Sequence, residues 1–121
     1  MNKLGPLVAD SYVMQAVGKY VRTVCRQVES EAQRQVFDKL DLVHHYTSGF
    51  KSLFTSTALA GIDTCRQACG GVGYSQHSGL PEAWANYAPV TILEGENTVM
   101  AQQSARYLLK QANLARRKQK L

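Results

Sequence analysis

Two short segments of this chain combine residue types that packing alone does not demand. The first is Cys69-Gly70-Gly71-Val72-Gly73-Tyr74-Ser75, and the second is Leu93-Glu94-Gly95-Glu96-Asn97-Thr98. Three glycines within four residues let a backbone approach a flat or anionic ligand with no side chain in between. The same glycines suit the end of a helix, where a left-handed cap is needed. The run is not a dinucleotide fingerprint, since no strand precedes it and no helix opens from it. It also lacks the Gly-Lys-Ser/Thr of a phosphate-binding loop. A helix cap and a ligand contact both stand as readings of this segment.

The second segment places two carboxylates just ahead of a helix. On one reading they are first-turn charges that complement the helix dipole, with Asn97 or Thr98 as local caps. On the other, Glu94 is a general base at the mouth of a cavity. Pro89, Val90, Ile92 and Leu93 precede it and could desolvate it, which would strengthen it as a base. Metal chemistry has less support. Cys65 and Cys69 are four apart rather than in a Cys-x-x-Cys pair, and His44, His45 and His77 supply no matching pair. The odd count of three cysteines argues against a disulfide framework, so core thiols are expected.

Helices must position these segments. Pro6 suits a first helical turn. Tyr12, Val13, Ala16, Val17, Tyr20, Val21, Val24 and Val28 then recur at spacings of three and four, a wide apolar stripe. The pattern breaks between Val36 and Asp41. A second long helix is predicted from Asp38 or Asp41 to Cys69, dense in small residues: Ser48, Gly49, Ser52, Ser56, Ala58, Ala60 and Gly61. Gly49 and Gly61 each cost about 1 kcal/mol of helix propensity relative to alanine. Tight packing is the expected compensation. Residues 75–94, interrupted by Gly79, Pro81 and Pro89, read as a loop with a short helical turn over Glu82 to Tyr87. A third helix is predicted from Gly95 or Glu96, with Val99, Met100, Gln103, Tyr107, Leu108 and Leu114 facing inward. The fold class is all-α, a helical bundle with no strand.

Composition agrees with one ordinary globular domain. The chain has 121 residues, 45% hydrophobic and 19% charged, enough for one core and not two. No apolar run reaches the roughly 18 residues a membrane span requires. Of the net +5, Arg116, Arg117, Lys118 and Lys120 supply all but one unit. The basic character therefore describes residues 116–121, a tail, rather than a surface for nucleic acid. The tail reads as a solvated helix end with cations at the negative pole, or as a docking or targeting segment. Its last three residues, Gln119-Lys120-Leu121, differ from a Ser-Lys-Leu address at the first position.

Several runs together resemble the acyl-CoA oxidase family. They are Tyr46 to Lys51, Thr57 to Ile62, Thr64 to Ser75, Ser78-Gly79-Leu80-Pro81, Glu94 to Met100 and Ala105 to Lys110, matching in order and spacing from about Val8 to Gln111. The resemblance implies that residues 1–121 form the C-terminal helical domain found in acyl-CoA dehydrogenases and oxidases. It also implies that Glu94 is the catalytic base, with FAD as cofactor and a fatty acyl-CoA as substrate. The implied products are a trans-2-enoyl-CoA and hydrogen peroxide, in peroxisomal fatty acid β-oxidation. By the same resemblance Gly70, Gly71, Gly73, Glu96 and Asn97 border the cofactor, and Tyr74 and Gly95 line the substrate cavity. Val72 stands where the family usually has histidine, and Leu93 where an aromatic residue usually precedes the base.

The resemblance further implies an N-terminal helical domain, a β-domain and a second helical domain, with the flavin between the β-domain and the segment seen here, and none of these parts fits in 121 residues. Activity is therefore expected only with the missing domains or partner chains, in a homodimer or larger assembly. The alternative is a shortened relative serving as a non-catalytic structural subunit, since three helices must bury their apolar stripes against something.

Overall fold

In the computed structural model, which describes residues 2–119, five α-helices and two 3-10 turns follow one another with no strand among the described residues. The helices are α1 (Leu4–Gln33), α2 (Leu40–Ala68), α3 (Gly71–Tyr74), α4 (Leu80–Tyr87) and α5 (Asn97–Lys118). The all-α expectation holds. Lys120 and Leu121 of the basic tail, and so the address-like last three residues as a unit, lie outside the described residues.

α2 is the hub, with α1, α3, α4 and α5 all packed on it. Its small residues explain how. A Cβ added at Gly49 would come within 2.7 Å of Ser104 Oγ on α5, and one at Gly61 within 3.4 Å of Leu7 Cδ2 on α1. Close backbone approach thus offsets the weak helix propensity of these glycines. One consequence is an unusual interior. Among the described residues Val28 is the buried apolar side chain, at 4% exposure, and Ser48 and Thr55 of α2 are buried as well. Ser48 donates to the His44 carbonyl at 2.6 Å, which satisfies the hydroxyl within its own helix.

The α1 stripe is real but only half covered. Leu7, Met14, Val17, Val21 and Val24 are shielded, whereas Tyr12 (71% exposed), Val13 and Tyr20 face outward. A stripe this wide needs two neighbours, and among the described residues α1 packs mainly on α2. α5 corrects the predicted inner face in a similar way. Met100, Gln103, Ser104 and Tyr107 are half-buried, while Val99, Leu108 and Leu114 are exposed. Asn97 and Ser104 are the anchors that set its rotation, through Ser52 and His45 of α2. An apolar-periodicity count passes over both.

Within residues 75–94 the short helical turn expected over Glu82 to Tyr87 is present as part of α4, and the rest departs from the expected loop in being mostly ordered into turns. The prolines that read as breakers occupy first turns, Pro81 in α4 and Pro89 in the 3-10 turn Ala88–Thr91. A missing N–H costs nothing there. Gly79, at φ 71°, makes the reversal into α4. All three cysteines are free. Cys25 and Cys65 are half-buried, but Cys69, predicted as a core thiol, is exposed at the end of α2. No helix among the described residues is long and apolar enough to cross a membrane.

Candidate functional site

The glycine turn divides into two parts. Gly70, at φ 57°, takes the chain out of α2 on left-handed backbone. Gly70 and Gly71 are exposed, and a Cβ at either would meet no atom within 4 Å. Val72 and Tyr74 beside them are 66% and 82% exposed, so this edge offers open backbone flanked by apolar and aromatic surface. Gly73 is different in kind. It is buried, and a Cβ there would lie 1.8 Å from the Arg66 carbonyl oxygen. Its bare backbone lets α3 fold back on the last turn of α2. The Arg66 side chain is held along the same helix by Asp63, at 2.6 Å. That pairing, with the Gln67 amide, keeps the Asp63 carboxyl below its ordinary 3.8.

The second segment is fastened to the middle of α2. Lys51 Nζ donates to the carbonyls of Thr91 (3.2 Å) and Gly95 (2.5 Å) and to Asn97 Oδ1 (2.9 Å). The Asn97 amide donates to the Ser52 carbonyl, Thr55 Oγ1 and Ser56 Oγ, and Ser52 Oγ returns a bond to the Asn97 carbonyl at 2.9 Å. The polar groups of Asn97 are therefore engaged by α2. Sequence reasoning grouped Asn97 with helix caps or cofactor contacts and gave Lys51 no role. A lone lysine in the small-residue stretch of α2 was the available signal.

The two carboxylates divide their work. Glu96 is the N-cap of α5, and its carboxylate accepts from the amides of Thr98 (2.9 Å) and Val99 (3.3 Å). The Thr98 amide, chiefly, holds its carboxyl below the usual 4.5, with smaller help from the Thr98 hydroxyl, the Val99 amide and the Lys51 charge. Neither Asn97 nor Thr98 caps the helix, because the Asn97 side chain turns into α2 and the longer Glu96 folds back over the free amides. Glu94 is left unengaged, in no ion pair among the described residues. It lies on left-handed backbone at φ 56°, which costs roughly 1–2 kcal/mol for a residue with a Cβ. Gly95 follows at φ 112°, where a Cβ would strike Met100 Cε at 2.5 Å. Glu94 is exposed, and Ile92 and Leu93 point their own surface outward at 66% and 59%. The apolar residues before Glu94 do not close over it, so any desolvation must come from groups beyond this chain.

Both segments hang on one rod. Asn97 is bonded at Ser52 and Ser56, and Gly73 sits on Arg66. The ten residues from Ser56 to Arg66 set the two anchors about 15 Å apart along α2. Between them lies a groove of about 780 Å³, with Ser56, Leu59, Asp63 and Arg66 as its floor and Trp84, Glu96 and Thr98 among its walls. A second, apolar groove of about 370 Å³ runs between α1, α2 and α4, lined by Leu7, Met14, Gly61, Ile62, Cys65 and Leu80. No group of three or more His, Cys, Asp or Glu residues among the described residues is placed to hold a metal ion.

Comparison with known proteins follows the same residues. The acyl-CoA oxidase C-alpha1 domain family matches residues 1–109. Peroxisomal acyl-coenzyme A oxidase 1 of Homo sapiens is 43% identical over 108 residues, covering 89% of this chain and 16% of the human protein. The Rattus norvegicus protein of the same name is 42% identical over the same length and coverage. A solved structure of Arabidopsis thaliana acyl-CoA oxidase 1 superposes with a TM-score of 0.89 at 39% identity, over 93% of this chain and 17% of that one. The chain thus spans about 16% of the length of the curated relatives it matches.

Proposed function

This chain belongs to the acyl-CoA oxidase family, and from that membership we propose that it forms one helical wall of a flavin-dependent site oxidising fatty acyl-CoA, with Glu94 as the base. The observation that carries the reading is the 91–97 turn. Its flanks are bonded to α2, its second carboxylate caps α5, and Glu94 alone projects without a partner on left-handed backbone. A strained, well-anchored turn that leaves one carboxylate free suits proton abstraction better than it suits a helix start.

Glu94 would take a proton from the carbon α to the thioester, the position acidified by the carbonyl. Its exposure in this chain fits the role of one wall, since a carboxylate becomes a stronger base once other surfaces exclude water from it. The residues present also fit the edge of a flavin site. Gly70 and Gly71 leave open backbone with no atom where a side chain would stand, and Tyr74 offers an aromatic edge beside them. Flavin, when bound, would supply the acceptor for the hydride leaving the β carbon, and oxygen would take up that electron pair with two protons, one matching the α proton that Glu94 removes, as hydrogen peroxide. Gly70 and Gly71 would border it. Gly73, Glu96 and Asn97 would act behind them, by holding the two turns on α2. Tyr74 and Gly95 would lie on the substrate side.

The product would be a trans-2-enoyl-CoA, within the peroxisomal β-oxidation that the names of the relatives suggest. We further propose that residues 1–121 act as one domain and that the rest of the site comes from other parts of the enzyme or from a second copy. The test is a visible spectrum of the protein isolated with everything bound to it. A flavin spectrum that bleaches on adding acyl-CoA without oxygen supports the reading. Glu94→Gln should abolish the bleaching while flavin stays bound. Absence of flavin from a chain still firmly held by partners would instead assign it a structural role, and bleaching unchanged in Glu94→Gln would assign the proton abstraction to some other base.

A further inference from the structure

Among the described residues, Lys51 is the ammonium that reaches into the turn carrying Glu94. It stands on α2, half-buried, and an ammonium has three protons to donate. Here it meets three acceptors: the Thr91 carbonyl, the Gly95 carbonyl and Asn97 Oδ1. Every donor has its own acceptor, so the group has no spare proton and no freedom to turn. Two of the acceptors flank Glu94, one three residues before it and one immediately after. Between those fixed carbonyls the chain reverses through successive left-handed residues, Glu94 at φ 56° and Gly95 at φ 112°. A residue with a Cβ takes that backbone at a cost of roughly 1–2 kcal/mol, as Gln35 does at φ 63° after α1, so bonds to the carbonyls on both sides favour the turn against its extended alternatives. The third acceptor, Asn97, is itself bonded to Ser52, Thr55 and Ser56, so the clamp is braced against the helix that bears it.

We infer that Lys51 is a positioning residue for Glu94: its ammonium, by gripping the carbonyls on both sides, fixes the strained backbone that aims the carboxylate. The inference rests on the reading of Glu94 as the base. Lys51 itself touches neither substrate nor reacting atoms. Its charge is not the point, since a cation elsewhere on α2 would make none of these bonds. What matters is a three-way donor at this position. A misplacement of about 1 Å at a reacting group can cost on the order of 10²-fold in rate.

The test uses the complete flavin-loaded assembly that contains this chain, with Lys51→Met, Lys51→Gln and Glu94→Gln made alongside the wild type. Three quantities are read: the rate of flavin bleaching at saturating acyl-CoA without oxygen, the affinity for acyl-CoA, and backbone amide exchange across residues 92–97. Lys51→Met should slow bleaching by roughly 10- to 100-fold with affinity changed less than about threefold, the signature of lost orientation rather than lost binding. Amide exchange over 92–97 should rise, and Lys51→Gln, with two donors left, should fall between. In a Glu94→Gln background, which should not bleach, Lys51→Met should still raise amide exchange across residues 92–97, because the clamp acts on the backbone rather than on the carboxylate. A wild-type bleaching rate in either Lys51 variant that assembles overturns the inference, as does a fall in rate matched by an equal fall in affinity. If Glu94→Gln bleaches normally, the base reading has failed and the role of Lys51 fails with it. If Glu94→Gln is inert while Lys51→Met bleaches normally, only the Lys51 inference is lost.

Discussion

Gly73→Ala offers the sharpest test of how the glycine turn is built. The added methyl would begin 1.8 Å from the Arg66 carbonyl oxygen and 2.7 Å from its carbon, both backbone atoms of α2 that no rotamer change can move. Ordinary contact begins near 3.4 Å, so α3 must retreat by roughly 1.5 Å. Overpacking of this kind costs about 1–3 kcal/mol. Taking about 2 kcal/mol, the fraction of molecules with this turn open rises roughly 30-fold, at 1.4 kcal/mol per factor of ten. The bonds to watch are those from the Gly73 amide to Gly70 (3.0 Å) and from the Ser75 amide to Val72 (3.1 Å). Amide exchange measured by mass spectrometry on peptides spanning 69–75 of the whole protein reads this opening directly. Gly71→Ala is the control. A Cβ there meets nothing within 4 Å, and Gly71 is absent from the positive-φ glycines, so it should exchange as the wild type does. Equal exchange in the two variants would refute the assignment of Gly73 to internal packing. Protection of Gly71 alone by bound flavin would place the ligand on the open glycines.

Two further outcomes follow from the geometry. Gly49→Ala should force α5 off α2, because Ser104 Oγ stands 2.7 Å from the new methyl, and should break the 2.8 Å bond between Ser104 and His45. Adding Ser104→Ala removes the obstructing oxygen, so the double variant should be less destabilised than the sum of the two singles in urea unfolding. The cap of α5 should be acid-sensitive. Bonding to Thr98 and Val99 depresses the carboxyl of Glu96 in the folded state, so its stabilisation is complete above the ordinary 4.5. It is lost as the pH falls through the lower folded value. Amide exchange at Thr98 and Val99, compared at matched intrinsic rates, should rise on acidification below that window, and Glu96→Gln should flatten the dependence.

Much of this fold was legible because helical periodicity is a strong signal in long segments. α2 was placed within a residue or two at each end, and the small residues along it announced the close contacts at Gly49 and Gly61. The faces of α1 and α5 were harder. Counting apolar residues cannot tell which half of a wide stripe meets a neighbour, and it ignores polar anchors such as Asn97 and Ser104. Pro81 and Pro89 misled in another way, since a proline that ends one helix and one that starts the next look alike in sequence. The candidate site showed the same division. Its residue types stood out, but not their allocation. Nothing in Glu94-Gly95-Glu96-Asn97 says that the second carboxylate caps α5, that the amide binds α2 and that the first carboxylate stays free. The fastening of this turn depends on Lys51, Ser52, Thr55 and Ser56 of α2, more than forty positions upstream.

The thin interior has a calorimetric consequence. With Val28 as its buried apolar residue and serine, threonine and glycine at its helix contacts, the segment removes little hydrocarbon surface from water when it folds. Heat capacity of unfolding scales with that surface. These helices therefore contribute a small increment to it, and hence little curvature to a stability profile against temperature. Their cohesion rests on hydrogen bonds and near-backbone contacts, whose strength is set by geometry more than by solvent ordering. Such a segment would melt together with whatever surface covers its exposed stripes, in a single transition.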